Sequence, residues 1–142
     1  MEKFIVHTDG GSRGNPGPSG IGIVINDKEY AEYVGEGTNN VAEYKAVIFA
    51  LQKSKSLLFA RKLSLQTPIE IYLDSELVCN QLSGEFKIKE ESLWPYFMAA
   101  WNLMRELKNV SFHYIPREEN KQADKLVNKA LDNHLIEAKT LF

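Results

Sequence analysis

Apolar and polar residues alternate or cluster in short runs over the first quarter of the chain, and helical stripes take over afterwards. Phe4-Ile5-Val6 is a short apolar run that reads as a strand, and Ser19 to Ile25 reads as a second one. Asn26-Asp27 supplies a turn, and Lys28 to Gly37 alternates as a third strand would, so the opening segment predicts an antiparallel meander. From Glu43, the positions at helical spacing are Ala46, Val47, Ala50 and Leu51, which predicts a helix from about Val41 to Leu58. Thr38 or either following asparagine can cap it. Ala60 to Thr67 is a polar connection, Ile69 to Leu73 a strand, and Glu76 to Leu82 a short helix closed by Ser83-Gly84. Glu85 to Glu90 alternates charged and apolar residues in a connector.

Ser92 to Leu107 carries Leu93, Phe97, Ala100, Trp101 and Met104 at helical spacing, with Ser92 as a cap and Pro95 in the first turn. On that spacing Trp94 and Trp101 are expected in the core. Val110 to Ile115 is a last strand, and the polar loop from Pro116 to Asn120 leads into a final helix whose apolar face is Ala123, Leu126, Val127, Ala130 and Leu131. Lys121, Lys125 and Lys129 recur every fourth residue; a solvated face with ion pairs within the helix is one reading of them, and it is the expectation for Lys129. Residues 132–142 form a tail that the pattern does not assign. The predicted order is β-β-β-α-β-α-α-β-α, with no internal repeat or linker, as expected of a single domain over residues 1–142.

Composition narrows the class. With 44% hydrophobic and 25% charged residues, the 142-residue chain is ordinary for a globular domain. One cysteine excludes an intramolecular disulfide, and with three histidines it leaves no basis for a structural zinc site. No apolar stretch approaches the ~20 residues of a membrane span, and none resembles a signal peptide, so a cytoplasmic location without membrane attachment is expected. A net charge of −2 excludes a globally basic nucleic-acid binder, and any such contact must be local.

Candidate chemistry begins at Thr8-Asp9-Gly10-Gly11-Ser12-Arg13-Gly14-Asn15-Pro16-Gly17, where an acid leaves a strand and enters a glycine-rich stretch. Such a stretch reads as a turn whose glycines adopt positive φ and whose N–H groups can cradle a phosphate. A carboxylate beside a phosphate repels it unless a cation lies between them. Asp74 repeats the placement of Asp9 at a strand end, although Asp74 or Ser75 can also serve simply as a helix cap. Glu43 starts the core-facing stripe of its helix, as a metal ligand or as a snorkelling first-turn acid favoured by the helix dipole. Asp124 lies beside the apolar face of the last helix.

In this order, Thr8-Asp9-Gly10-Gly11…Gly14-Asn15-Pro16-Gly17, Thr38-Asn39-Asn40-Val41-Ala42-Glu43, Leu73-Asp74-Ser75 and Asn120-Lys121-Gln122-Ala123-Asp124, the sequence resembles the ribonuclease H type 1 family over nearly its whole length. The resemblance implies an α/β ribonuclease H-like fold: a five-stranded mixed sheet, three antiparallel strands and then parallel ones, flanked by helices. It also implies a monomer that hydrolyses the RNA strand of RNA–DNA hybrids with two Mg²⁺ ions about 4 Å apart, Mn²⁺ being a possible substitute. Asp9 would bridge both ions, Glu43 and Asp74 would complete the leaving-group side, and Asp124 would hold the ion that activates water. Gly10, Gly11 and Asn15 would approach RNA sugars, where the 2′-OH separates RNA from DNA. Asn39 and Asn40 would contact both strands, Thr38 a DNA phosphate, and Phe86 with Lys87 the DNA-strand groove.

The chain departs from the family pattern at several points. Only Gly84 to Glu91 stands where many members carry a basic protrusion, Glu36 stands near a common arginine, and Glu76 replaces a common amide. Arg117 occupies the loop where members often place a histidine that aids turnover, and it is the expected substitute in the catalytic set. The alternatives to hybrid cleavage are a non-catalytic hybrid-binding domain of the same fold and a related nuclease that also cuts double-stranded RNA.

Overall fold

The computed structural model describes residues 2–141. The meander is β1 (Phe4–Ser12), β2 (Gly17–Ile25) and β3 (Lys28–Gly37), followed by α1 (Asn39–Ala60), β4 (Ile69–Leu73), α2 (Glu76–Leu82), α3 (Trp94–Glu106), β5 (Val110–Tyr114) and α4 (Lys121–Leu141). The strands form one sheet in the order β3-β2-β1-β4-β5. Pairing is antiparallel among the first three strands and parallel from β1 to β4 and from β4 to β5. This is the expected five-stranded mixed sheet.

Both faces of the sheet are covered. Alternation along β1 and β2 puts Gly10 and Gly22 on opposite faces, because Asp9 pairs with Gly22 and Gly10 with Ile21. A Cβ on Gly10 would stand 2.3 Å from the backbone of Ala42 in α1, and one on Gly22 would stand 2.2 Å from the backbone of Ala123 in α4. These two positions need glycine for close approach, and they set how near each helix comes. Beneath α1, Val47, Ala50 and Leu51 bury against Phe4, Val6, Ile69 and Ile71. The expected face of α4, from Ala123 to Leu131, is buried as well.

Four sequence-based expectations change. The glycine-rich stretch is largely strand: β1 runs to Ser12, and only Gly14 of its glycines takes positive φ. Ladder bonds to β2 absorb the backbone groups that a free turn would have offered. Ser92 caps nothing, because a 3₁₀ turn over Glu91–Leu93 precedes α3 and no side chain caps that helix. Trp94 and Trp101 are 45% and 42% exposed. The α3 stripe that turns inward is centred on Ala100 and partly buries Phe97, Leu103 and Met104, which leaves Trp94, Met98 and Trp101 on the flank. Phe97 lies edge-on to Trp94 and stacks with Trp101, so the rings cover one another and not the core. Finally, α4 continues through the unassigned tail as far as Leu141, and Phe142 lies outside the described residues.

Candidate active site

Strand ends and helix starts converge at the end of the sheet where β1 and β4 finish. Thr38 caps α1 by accepting from the Val41 N–H at 3.3 Å, which places Glu43 in the second turn, above Gly10. Ser75, not Asp74, caps α2 through the Val78 N–H at 3.2 Å, and this leaves the Asp74 carboxylate for the cleft. Asp9, Glu43 and Asp74 each offer an oxygen within a set whose atoms all lie within 4.8 Å of one another. Asp124 stands outside that set but lines the same cleft, close enough for its charge to act on Asp9.

The electrostatics follow from this crowding. Burial pushes the Asp9 carboxyl up to about 7; a hydrogen bond with Glu43 opposes the rise, and the charges of Asp74 and Asp124 add to it. Glu43 is raised well above the usual carboxylate range, by burial first and then by the charge of Asp9. Its Oε2 is buried with no hydrogen-bond partner among the described residues. A buried, unpartnered carboxylate oxygen facing two further acids is costly unless a cation shares it. The donor set is all hard oxygen, which suits a divalent metal such as Mg²⁺.

Asn120 was missed as a site residue, although it belongs to the motif that includes Asp124. It is 1% exposed, and its Nδ2 donates to Asp74 Oδ2 at 3.0 Å and to the Thr8 carbonyl at 2.8 Å. It therefore ties the start of α4 to the middle of β1 and the end of β4 and orients Asp74. A polar residue just before an amphipathic helix reads locally as a loop residue, and nothing nearby signals its burial. Gln81, inside α2, was also missed: it is buried and accepts from the Tyr44 hydroxyl at 2.5 Å, joining α2 to α1 one residue from Glu43.

The other predicted residues divide by location. Gly10, Gly11, Asn39 and Arg117 line the cleft with the acids, together with Arg13 and Asn128. Asn15 Oδ1 accepts from the Asn39 N–H at 3.0 Å, and Asn39 Oδ1 accepts from the Ser12 N–H at 2.9 Å. Both amide oxygens are thereby anchored, and among the described residues both amide Nδ2 groups remain free to donate. Asn40 is half-buried in the first turn of α1. Phe86 and Lys87 lie apart from the acids, on an apolar groove of about 490 Å³ with Leu77, Gln81 and Leu93. Arg117 is 81% exposed; its guanidinium is 3.8 Å from Asp124, and it pairs with neither Glu118 nor Glu119. Among the described residues, Lys121, Lys125 and Lys129 form no ion pair, so the helix-internal pairs expected at Lys129 are not made.

A mixed five-stranded sheet that gathers carboxylates from the interior of β1, the end of β4 and two helices defines the ribonuclease H-like class of folds. The family model described as "Reverse transcriptase-like" matches residues 7–130. The bifunctional protein Rv2228c of Mycobacterium tuberculosis is 36% identical over 137 residues, which is 92% of this chain and 36% of that protein. Ribonuclease HI of Halobacterium salinarum is 36% identical over 131 residues, covering 88% of this chain and 62% of its own length. The structure of LC11-RNase H1 in complex with an RNA/DNA hybrid superposes with a TM-score of 0.87 at 45% identity, covering 94% of this chain and 99% of that one. The chain belongs to the ribonuclease H type 1 family. It spans about a third of the mycobacterial relative's length.

Proposed function

We propose that this chain is an endoribonuclease that hydrolyses the RNA strand of RNA–DNA hybrids with two Mg²⁺ ions, Mn²⁺ being able to substitute. The observation that carries the proposal is the buried, unpartnered Glu43 oxygen within the group formed by Asp9, Glu43 and Asp74. A binding module gains nothing from acids clustered against a phosphate, whereas a metal-dependent hydrolase requires them. When bound, the ions would polarise the scissile phosphate, lower the pKa of the attacking water and neutralise the leaving oxygen.

The chain's own residues do the rest. Asp9 would serve both metals, Glu43 and Asp74 would hold metal on the leaving-group side, and Asp124 would hold it on the water side. Asn120 keeps Asp74 pointed into the cleft. Arg117, exposed at the rim, would offer its N–H groups to a phosphate oxygen as product leaves. The anchored amides of Asn15 and Asn39, with the backbone at Gly10 and Gly11, would meet RNA sugars and their 2′-OH groups. Asn40 and Thr38 would contact the hybrid at the start of α1, and Phe86 with Lys87 would line the path of the DNA strand. A solved relative 45% identical to this chain, in complex with an RNA/DNA hybrid, supports the choice of substrate. We place the protein in the cytoplasm as a monomer, in keeping with the absence, among the described residues, of any helix long and apolar enough to cross a membrane.

The test is to incubate the protein with labelled hybrid, single-stranded RNA, duplex DNA and duplex RNA, each with Mg²⁺, Mn²⁺ or EDTA. Metal-dependent internal cuts confined to the RNA of the hybrid are expected. Binding of hybrid without cleavage in either metal would favour a binding module, and cuts in duplex RNA would widen the substrate class.

A further inference from the structure

Arg13 leaves the end of β1 and lies across the wall of the cleft against α4. Its Nη2 is 2.7 Å from Asp132 Oδ1 and 3.4 Å from Asn128 Oδ1. Asn128 and Asp132 follow Asp124 along α4 at one-turn intervals, each about 6 Å further on, so they continue the line that Asp124 begins. Asn128 is fixed in turn, because its Nδ2 donates to the Asp124 carbonyl at 3.2 Å. It lines both the carboxylate cleft and a neighbouring cavity of about 460 Å³ whose walls include Lys125 and Lys129. Both lysines are exposed and lack an ion pair among the described residues. The acids on this ridge are already engaged: Glu29 by Gln122 Nε2 at 2.7 Å, and Asp132 by Arg13.

Stability gives these cations little reason to be here. An exposed pair such as Arg13–Asp132 is worth about 0–1 kcal/mol, and unpaired lysines contribute nothing comparable. Continuity with the cleft identifies the occupant. A strand whose phosphate lies over Asp9 and Asp124 passes Arg13 in the cleft wall on the α4 side, and beyond the shared Asn128 it reaches Lys125 and Lys129 in the adjoining cavity. A phosphate can take the guanidinium fork through two N–H bonds, whereas Asp132 engages it through a single oxygen.

We propose that Arg13, Lys125 and Lys129 form a track for phosphates of the RNA strand on the α4 side of the cleft, and that Asp132 parks Arg13 until a phosphate displaces it. The proposal rests on the reading of the cleft as a hybrid nuclease site.

Binding of a labelled hybrid across a salt series, in Mg²⁺ and an Asp74→Asn background that prevents turnover, tests it. Arg13→Ala is expected to raise Kd several-fold and to reduce the slope of log K against log[salt] by about 1, and Lys125→Gln with Lys129→Gln by up to about 2. Asp132→Asn should tighten binding while Arg13 is present and change nothing once Arg13 is alanine. Neutral methylphosphonate linkages in the RNA strand beside the cleavage region should erase the difference between Arg13 and alanine, and the same linkages in the DNA strand should not. Unchanged slopes in the variants, weaker binding in Asp132→Asn, or erasure by the DNA-strand linkages would each overturn the track. If the unsubstituted protein cuts hybrid while the slopes stay unchanged, the track alone falls. If it neither binds nor cuts hybrid, the nuclease reading falls and the track falls with it.

Discussion

Asp74 leaves the end of β4 with one carboxylate oxygen already held by Asn120 at 3.0 Å. Asp74→Asn should reduce cleavage to background while hybrid binding persists, because the amide keeps the shape and loses the charge; cleavage near the unsubstituted rate would remove Asp74 from the metal site. Asn120→Ala leaves Asp74 in place but free to turn, so cleavage should fall about 10–100-fold, with a matching rise in the Mg²⁺ concentration needed for half-maximal rate. Asp9 provides a reading that does not depend on activity. Its carboxyl ordinarily titrates at 3.8 and in the fold at about 7, so between those values the folded protein binds the extra proton. The stability this group contributes is complete below the lower value and is lost as pH rises through the upper one. In EDTA, the melting temperature should therefore fall from pH 4 to pH 7 more steeply than in Asp9→Asn, the two differing by several degrees at the upper end; each kcal/mol is worth roughly 3–6 °C in a chain of this size. Parallel pH profiles would show that Asp9 is not buried among like charges. Arg117→Ala should slow steady-state turnover and spare the single-turnover rate, which a pre-steady-state time course separates.

At the scale of elements, the cleft depends on how closely two helices approach the sheet. Gly10 admits the turn of α1 that carries Glu43, and Gly22, paired with Asp9, admits the turn of α4 that carries Asp124. Each acid thus owes its position to a missing side chain on a neighbouring strand. Gly22→Ala would put a methyl 2.2 Å from the Ala123 carbonyl oxygen, where a helix backbone cannot yield locally. It should cost about 1–3 kcal/mol or more in denaturant melts. Its remaining folded fraction should also bind Mg²⁺ more weakly, since α4 must move outward. A variant with unchanged stability would mean that the helix seats with room to spare.

For the molecule as a whole, charge is distributed against the net count. The chain carries −2, four of its 19 acids gather at the cleft, and cations lie along the rim and α4. No basic insertion stands between α2 and α3, where only the connector with Lys87 and Lys89 is found. Hybrid affinity should therefore fall with salt along a shallow line, with a slope of magnitude about 3–5, since each neutralised phosphate contributes close to 0.9. Fluorescence anisotropy across a salt series would measure it, and a slope near ten would mean that a much larger basic surface is engaged.

Most of the element order was legible without coordinates. The change from period two to helical spacing located β4 and α2 at Ile69–Leu73 and Glu76–Leu82 and marked Asp74 as a strand-end acid, whereas Asp9, read the same way, lies inside β1, which runs on to Ser12. It also showed Glu43 on an inward face, since hydrophobic periodicity encodes which side of an element is buried. That pattern does not encode what covers the side, and at this step the local reading ended. The Trp94–Trp101 flank of α3 has the same spacing as a core stripe, and only the placement of α3 against α1 leaves it exposed. The extension of β1 to Ser12 depends on pairing with β2, the burial of Asn120 on its reach to Thr8 and Asp74, and the pairing of Arg13 on a helix more than a hundred residues away. Each depends on a partner segment that the local pattern does not name, so the identity of the acids was written in the sequence, while their closeness, the raised pKa values of Asp9 and Glu43 and the residues that hold them came from the packing of two helices onto two glycines.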